Sequence, residues 1–432
     1  MNFSQKQGII IGVAAILVLA LAILIFANLK KGPNEVVEVE LTVWGVDDKK
    51  AFDGIIAAYA AFRPNVAVQY VQVDKDRYEQ ALLNALAAGE GPDVFLVDNN
   101  ALLRQIGKMT PVLRTQYNLV NLRDSREGFP DVVEDDFVKD GEIYALPLYV
   151  DTLALAYNKE LFNQASVVFP PGTWQDFQGT VQVLRKVDPS GRILQAGAAI
   201  GGSDKSISNA QDVLYLLMVQ NGAPMVNDNF SSANFGVQGG LGLQAFNFYS
   251  QFANAASPYY TWNDSQPEFL ESFARGETAM IFAYKSELDS LRSKNPFLDF
   301  RVAFVPQPAG ESESVAYANY KGLTVSKQSQ VSNWAWDFII HATTKPEVVS
   351  TYLSQVNLPP ALNSLINDKI NDEDLRVFVR QALTAKSWPQ SDDLAIDEIF
   401  SQAIRNVLTG QLDSQKALSQ AESLVTQLMK ER

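Results

Sequence analysis

Between Val39 and Ile106, apolar strand-like runs alternate with helical ones, and this order restricts the fold more than any other feature of the chain. Val39 to Val46 reads as a strand, with Trp44 near its carboxyl end. Asp47 and Asp48 open a helix to about Phe62, as acidic residues do at helix starts. Val66 to Val73 reads as a second strand. A second helix starts at Asp74, with Tyr78, Ala81, Leu82, Ala85 and Leu86 at helical spacing. Gly89-Glu-Gly-Pro92 stops it, and Asp93 to Val97 is a short buried strand followed by Asp98, Asn99 and another helix. The β-α-β-α-β-α order predicts a parallel sheet covered by helices, an α/β fold. Ligands of such sheets sit beyond the carboxyl ends of the strands. Trp44, Asp47, Asp98 and Asn99 fall there. Helix capping is the competing reading for the two aspartates, and core packing for Trp44.

The run from Gly141 to Phe162 adds a second constraint. After the turn at Asp140-Gly141 come two apolar segments, Ile143 to Leu146 and Val150 to Tyr157, separated by Pro147. Proline cannot donate to a sheet ladder, so two strand segments joined at a stiff break are expected. In the second segment both faces are apolar, which fits a strand covered on both sides. Asp151 at its mouth needs a partner, because an unpaired buried carboxylate is costly. A structural partner and a bound ligand both answer that need.

The chain has 432 residues, enough for two domains. Its net charge of -14 repels phosphate backbones, so no nucleic-acid partner is expected. It has no cysteine, which removes disulfides, thiolate metal sites, cysteine nucleophiles and a lipidated cysteine together. Gly8 to Leu29 is an uncharged run of about 22 residues, long enough to span a bilayer, with no good cleavage site after it. A retained single-pass anchor is expected, although Lys30 and Lys31 on its far side make the orientation ambiguous from charge alone.

Several motifs resemble the family 1 extracellular solute-binding proteins of ABC importers, the maltose-binding type. The run G-E-I-Y-A-L-P-L-Y-V-D-T-L-A-L-A-Y-N-K-E-L-F from Gly141 to Phe162 resembles a segment that crosses between lobes in that family. A-A-G-E-G-P-D-V-F-L-V-D, ending at Asp98, resembles a strand whose following residues line the cleft. Pro171-Gly-Thr173-Trp174-Gln-Asp-Phe177 matches a further motif, Phe273-Ala-Arg-Gly276-Glu-Thr-Ala-Met280 resembles the motif where the family's chain returns to the first lobe, and Tyr317 to Lys327 resembles a third crossing, back to the second lobe. The resemblance implies a two-lobed clamshell with ligand between the lobes, importer membrane subunits as partners, and a soluble part on the extracytoplasmic side. It divides the chain into a tail (1–7), an anchor (8–29), a linker (30–36), a first lobe of 37–147 and 275–310, and a second lobe of 148–274 and 311–432. Residues 113–138 receive no assignment.

Catalytic signatures are missing. The sequence has no G-x-S-x-G elbow, no Walker A loop and no H-E-x-x-H, and His341 is the only histidine. Gly240-Leu-Gly-Leu-Gln-Ala245 matches a dinucleotide fingerprint formally, but no apolar strand precedes it. The acidic stretches at Asp74–Asp76 and Asn367–Asp374 lack the glycine of a calcium loop. No cofactor or metal is expected. Two of the many carboxylates could still form a glycosidase, which needs no motif. A surface-tethered sensor with the same fold is a further alternative.

The reading that follows is a monomeric, membrane-anchored binding protein for a sugar or oligosaccharide. Flat rings pack on the apolar faces of sugars, and Trp44, Tyr149, Trp262, Tyr284, Tyr320 and Trp388 are the candidate rings. Asp47, Asp98, Asn99, Asp151 and Ser286 are candidates for the hydroxyls, with Gly322 beside Tyr320 in the third crossing.

Overall fold

The computed structural model describes residues 38–431 apart from 238, 311 and 312. The expected tail, anchor and linker lie outside these residues. No helix among the described residues is long and apolar enough to cross a membrane.

The first lobe is built as the alternation dictates. Strands Val39–Gly45, Val66–Gln72 and Val94–Asp98 are parallel, with the first in the centre. Helices Lys49–Phe62 and Tyr78–Ala88 connect them. Asp48 accepts the Lys50 amide at the start of the first helix. Gly89 ends the second with φ 75°, a left-handed conformation that costs glycine nothing. Lys321–Ser326 then joins antiparallel to Val94–Asp98, and Leu146–Pro147 pairs with it in turn. The sheet is therefore mixed. Its core takes in residues from Val39 to Val150 and from Ala318 to Ala385.

The second lobe departs from a parallel plan. Ala154–Asn158 lies between Met280–Ala283 and Phe300–Ala303, antiparallel to both. This corrects the sequence expectation that 275–310 belongs to the first lobe: the Phe273 to Met280 motif leads into the second lobe's own sheet. Its core runs from Leu153 to Val305, takes in Ala316, Tyr317, Val377 and Phe378, and continues with Trp388, Phe400 and the last helix, Ser414–Lys430. Residues 311–432 are accordingly shared between the lobes. Aromatic rings fill much of this core, with Trp174 edge-on to Phe177 and Phe248 at 5.4 Å. Gly240 starts an ordinary helix, Leu241–Ser250.

Three crossing segments lie side by side between the lobes. Asp151–Thr152 pairs antiparallel with Ala316–Asn319, which pairs parallel with Ala385–Lys386. Two of the three fall in stretches that the sequence marks as crossings. The third falls just before Trp388.

Candidate ligand-binding cleft

The first-lobe wall is formed where its strands end. Asp47 follows the first strand, and its carboxylate accepts the Tyr352 hydroxyl at 3.0 Å. The Tyr70 hydroxyl holds the Asp47 carbonyl at 2.9 Å. Burial raises the Asp47 carboxyl above the usual range, against the opposing pull of Tyr352, Lys321 and Lys75. Asp98 ends the third strand and is ion-paired with Lys321, its direct neighbour in the sheet. Tyr149 stands half-buried beside both. Burial raises its phenol well above the ordinary value, and Asp47, Asp151 and Asp98 add to the effect. Its hydroxyl makes no hydrogen bond among the described residues. Trp44 is also half-buried, packed on the edge of the first core.

The second-lobe wall is made largely of residues that carry no motif. Asp212, in the first turn of helix Ala210–Gln220, accepts the Tyr284 hydroxyl at 2.8 Å. Burial pushes its carboxyl up to about 6, although Tyr284 and Asn319 donate to it. Asp397, on helix Asp393–Leu408, accepts the Tyr215 hydroxyl at 3.1 Å. Its carboxyl is raised well above the usual range by burial first and then by Asp212, with Asp393 and Asp98 adding to it. Asp98 belongs to the first lobe, so the two walls meet electrostatically at this point. Beside the junction, a cavity of about 230 Å³ is lined by Asn100, Leu102 and Lys139 on one side and Phe230 on the other.

The remaining candidates from the sequence fall elsewhere. Asp151 is 2% exposed and accepts the amides of Thr152, Lys285 and Ser286 at 2.9, 3.0 and 3.1 Å. It is therefore tied to the amino terminus of helix Lys285–Lys294, where a negative charge is favoured. Burial still raises its carboxyl to about 6 despite these three donors. Ser286 is exposed and contributes its amide to this arrangement.

Five candidates lie in the interior of the lobes, although Asn99 also lines the cavity beside the junction. Trp262 is 0% exposed, with its indole N–H on Ser206 Oγ at 3.0 Å inside the second core. An aromatic loop can enter a core when its amides find partners, and Thr261 and Trp262 both donate to the Phe252 carbonyl. Trp388 is buried against Tyr215, Phe235 and Phe400. Asn99 and Tyr320 are buried donors to Asp136, at 3.0 and 2.7 Å. Gly322 lies within the Lys321–Ser326 strand of the first sheet, where an added Cβ would come within 2.8 Å of Ala145 and Phe137. Tyr284 is largely buried, but its hydroxyl reaches Asp212 in the second wall.

Asp212, Tyr215, Asn319, Lys321 and Asp397 were not among the candidates. Asp212 and Asp397 sit at polar positions of amphipathic helices, where a carboxylate ordinarily faces water. Asn319 and Lys321 lie inside the third-crossing motif, which is the one available signal.

The arrangement offers acceptors and rings from two walls, with no nucleophile–base pair among the groups described. The family model for bacterial extracellular solute-binding proteins matches residues 54–376. The maltodextrin-binding protein MdxE of Bacillus subtilis is 24% identical over 372 residues, covering 83% of each chain. The maltotriose-binding protein of Pyrococcus abyssi is 24% identical over 374 residues, covering 82% of this chain and 75% of that one. Among solved structures, the sugar-binding protein MalE from the phytopathogen Xanthomonas citri shares the fold with a TM-score of 0.75 at 20% identity, covering 91% of this chain and 98% of that one. With its two lobes, three crossings and matched residues, the chain belongs to the bacterial extracellular solute-binding protein family.

Proposed function

We propose that the protein captures a sugar or small oligosaccharide between its lobes and delivers it unchanged to the membrane subunits of an ABC importer. The observation that supports this reading is the approach of Asp98, on the first wall with Asp47 and Tyr149, to Asp397, on the second wall with Asp212. Carboxylates with unused acceptor capacity suit ligand hydroxyls, and charge-assisted hydrogen bonds are the stronger kind. Tyr149 and Trp44 supply half-buried rings for the apolar face of a sugar. The names of the relatives, which refer to maltodextrin and maltotriose, support the ligand class. Gly8 to Leu29 tethers the binding domain to the membrane in this reading, with that domain on the extracytoplasmic side.

A thermal-shift screen of the domain from Glu35 against maltotriose, other saccharides and amino acids tests the ligand class. A saccharide at 100 times its Kd adds about 2.7 kcal/mol to stability. Stabilisation by amino acids alone would overturn the sugar reading. Mass analysis of recovered ligand checks that it leaves intact. N-terminal sequencing of membrane-extracted protein tests the tether, which fails if the chain starts near Asn28 or Gly32.

A further inference from the structure

A largely buried ion pair joins the lobes away from the crossing strands. Arg104 lies in the short helix Leu102–Gln105 after the first lobe's third strand. Its guanidinium is paired with Asp393, the first residue of the second-lobe helix Asp393–Leu408, through Nε to Oδ1 and through Nη2 to Oδ2 at 3.1 Å. The same guanidinium reaches back into the first lobe, where Nη1 donates to Glu79 Oε2 at 3.1 Å. Glu79 is steadied in turn by Gln105 Nε2 at 3.2 Å. The side chains of Arg104 and Asp393 are 10% and 6% exposed. Burial works against the guanidinium charge, but the bonds to Asp393 and Glu79 outweigh it and raise its pKa. Next to this pair, the Asn100 side-chain amide donates to Gln390 Oε1 at 3.4 Å, a weaker bond between the same two segments.

We propose that Arg104 is a positioning residue that latches the lobes in the closed arrangement and thereby sets the affinity of the cleft. The argument rests on what each partner loses when the lobes separate. Arg104 keeps Glu79 in its own lobe, so it retains one anion. Among the described residues, Asp393 has no other cation as a hydrogen-bond or ion-pair partner. Closure with Arg104 in place pairs a buried carboxylate whose other support is the amino terminus of its own helix, and removal of one partner from such a pair is strongly unfavourable. Opening lets water reach Asp393. Loss of the Arg104 charge therefore penalises the closed state selectively. A ligand that needs both walls binds only the closed fraction, so its apparent Kd rises as that fraction falls. The inference rests on the two-walled cleft described above, but not on the identity of the ligand.

The test uses the ligand-free protein. Because the chain has no cysteine, Lys50→Cys on the first lobe and Asn163→Cys on the second place two spin labels on exposed positions. Pulsed electron spin distance measurements then read the open and closed populations directly. Arg104→Gln should raise the open-to-closed ratio by about tenfold or more. Arg104→Lys, which keeps the charge but loses the fork, should restore much of the closed population. High salt should affect the wild type little, because the pair is shielded from solvent. Circular dichroism melts confirm that each variant is folded. A folded Arg104→Gln protein with an unchanged distance distribution would falsify the latch. So would an equal shift in Arg104→Lys and Arg104→Gln. Maltotriose titration is a separate readout: if maltotriose does not bind the wild type, the ligand reading is in question while the distance result still decides the latch.

Discussion

Asp151 and Asp397 are both carboxylates held near the lobe junction, and burial raises both above the usual range. Their surroundings differ in kind. Asp151 receives three backbone amides and stands at a helix amino terminus. Asp397 receives one phenol, from Tyr215, and faces the fields of Asp212, Asp393 and Asp98. The first carboxylate gives three of its roughly four acceptor positions to the protein, and the second has most of its acceptor capacity left. Burial alone therefore does not mark a ligand contact at this junction. Unused hydrogen-bonding capacity on a half-buried group is the better guide, and it selects Asp397, Asp212 and Tyr149 over Asp151, Asn99 and Trp262.

The largest effect should fall on a residue from the satisfied class. Trp262→Ala empties a fully enclosed site and removes the indole donor to Ser206. A loss of about 3–5 kcal/mol of folding stability is expected in denaturant melts, while protein that still folds should bind saccharide normally. A large affinity loss with little change in stability would put Trp262 back in the cleft. Asp151→Ala should come next. It orphans buried amides at the start of the helix Lys285–Lys294 and should cost about 1–3 kcal/mol of stability. Asp397→Asn should behave in the opposite way, with stability at neutral pH unchanged or higher and saccharide affinity reduced on calorimetric titration. Equal behaviour of these two variants would break the comparison.

The pH dependence of stability sharpens it further. Asp151 is raised from about 3.8 to about 6, and Asp136, buried with donors from Asn99, Tyr320 and Ser387, is raised to about 7. Between those values and the unfolded-state value, the folded protein holds protons that the unfolded chain has released. Their contribution to stability is thus fully present below about pH 3.8 and is lost as pH rises through about 6 to 7. Melting temperature in ligand-free protein should reflect this loss between pH 4 and 7, and Asp136→Asn should flatten the profile there. An unaltered profile in that variant would mean that Asp136 does not titrate in this range. The smallest effect is reserved for Tyr149→Phe. Its hydroxyl has no protein partner among the described residues, so the melting temperature should hold. Affinity for a saccharide that uses the hydroxyl should fall by about 0.5–1.5 kcal/mol.

The first lobe was legible because its elements are consecutive. Strand, helix and strand from Val39 to Asp98 build one parallel sheet from adjacent stretches of chain, and periodicity reports directly on such order. Periodicity says nothing about which distant strand becomes a partner. Ala154–Asn158 finds Met280–Ala283 and Phe300–Ala303 more than a hundred residues away, and so 275–310 was assigned to the wrong lobe. Trp262 misled for a related reason: its loop has no period, yet hydrogen bonds to Phe252 let it turn into the core. Asp212 and Asp397 could not be told from ordinary solvent-facing acids, since only the approach of Asp98 and the tyrosines makes their places unusual.

The three crossing strands also bear on how such a chain acquires its structure. Because the polypeptide passes between the lobes three times, neither core is complete within a contiguous stretch. The first includes residues as late as Ala385, and the second needs Val425 in the last helix. At ordinary synthesis rates of roughly 5–20 residues per second, a chain of 432 residues takes on the order of a minute to emerge. For nearly all of that time the second core lacks its final helix. Truncation near residue 410 should accordingly leave a collapsed, protease-sensitive chain in place of a smaller working domain.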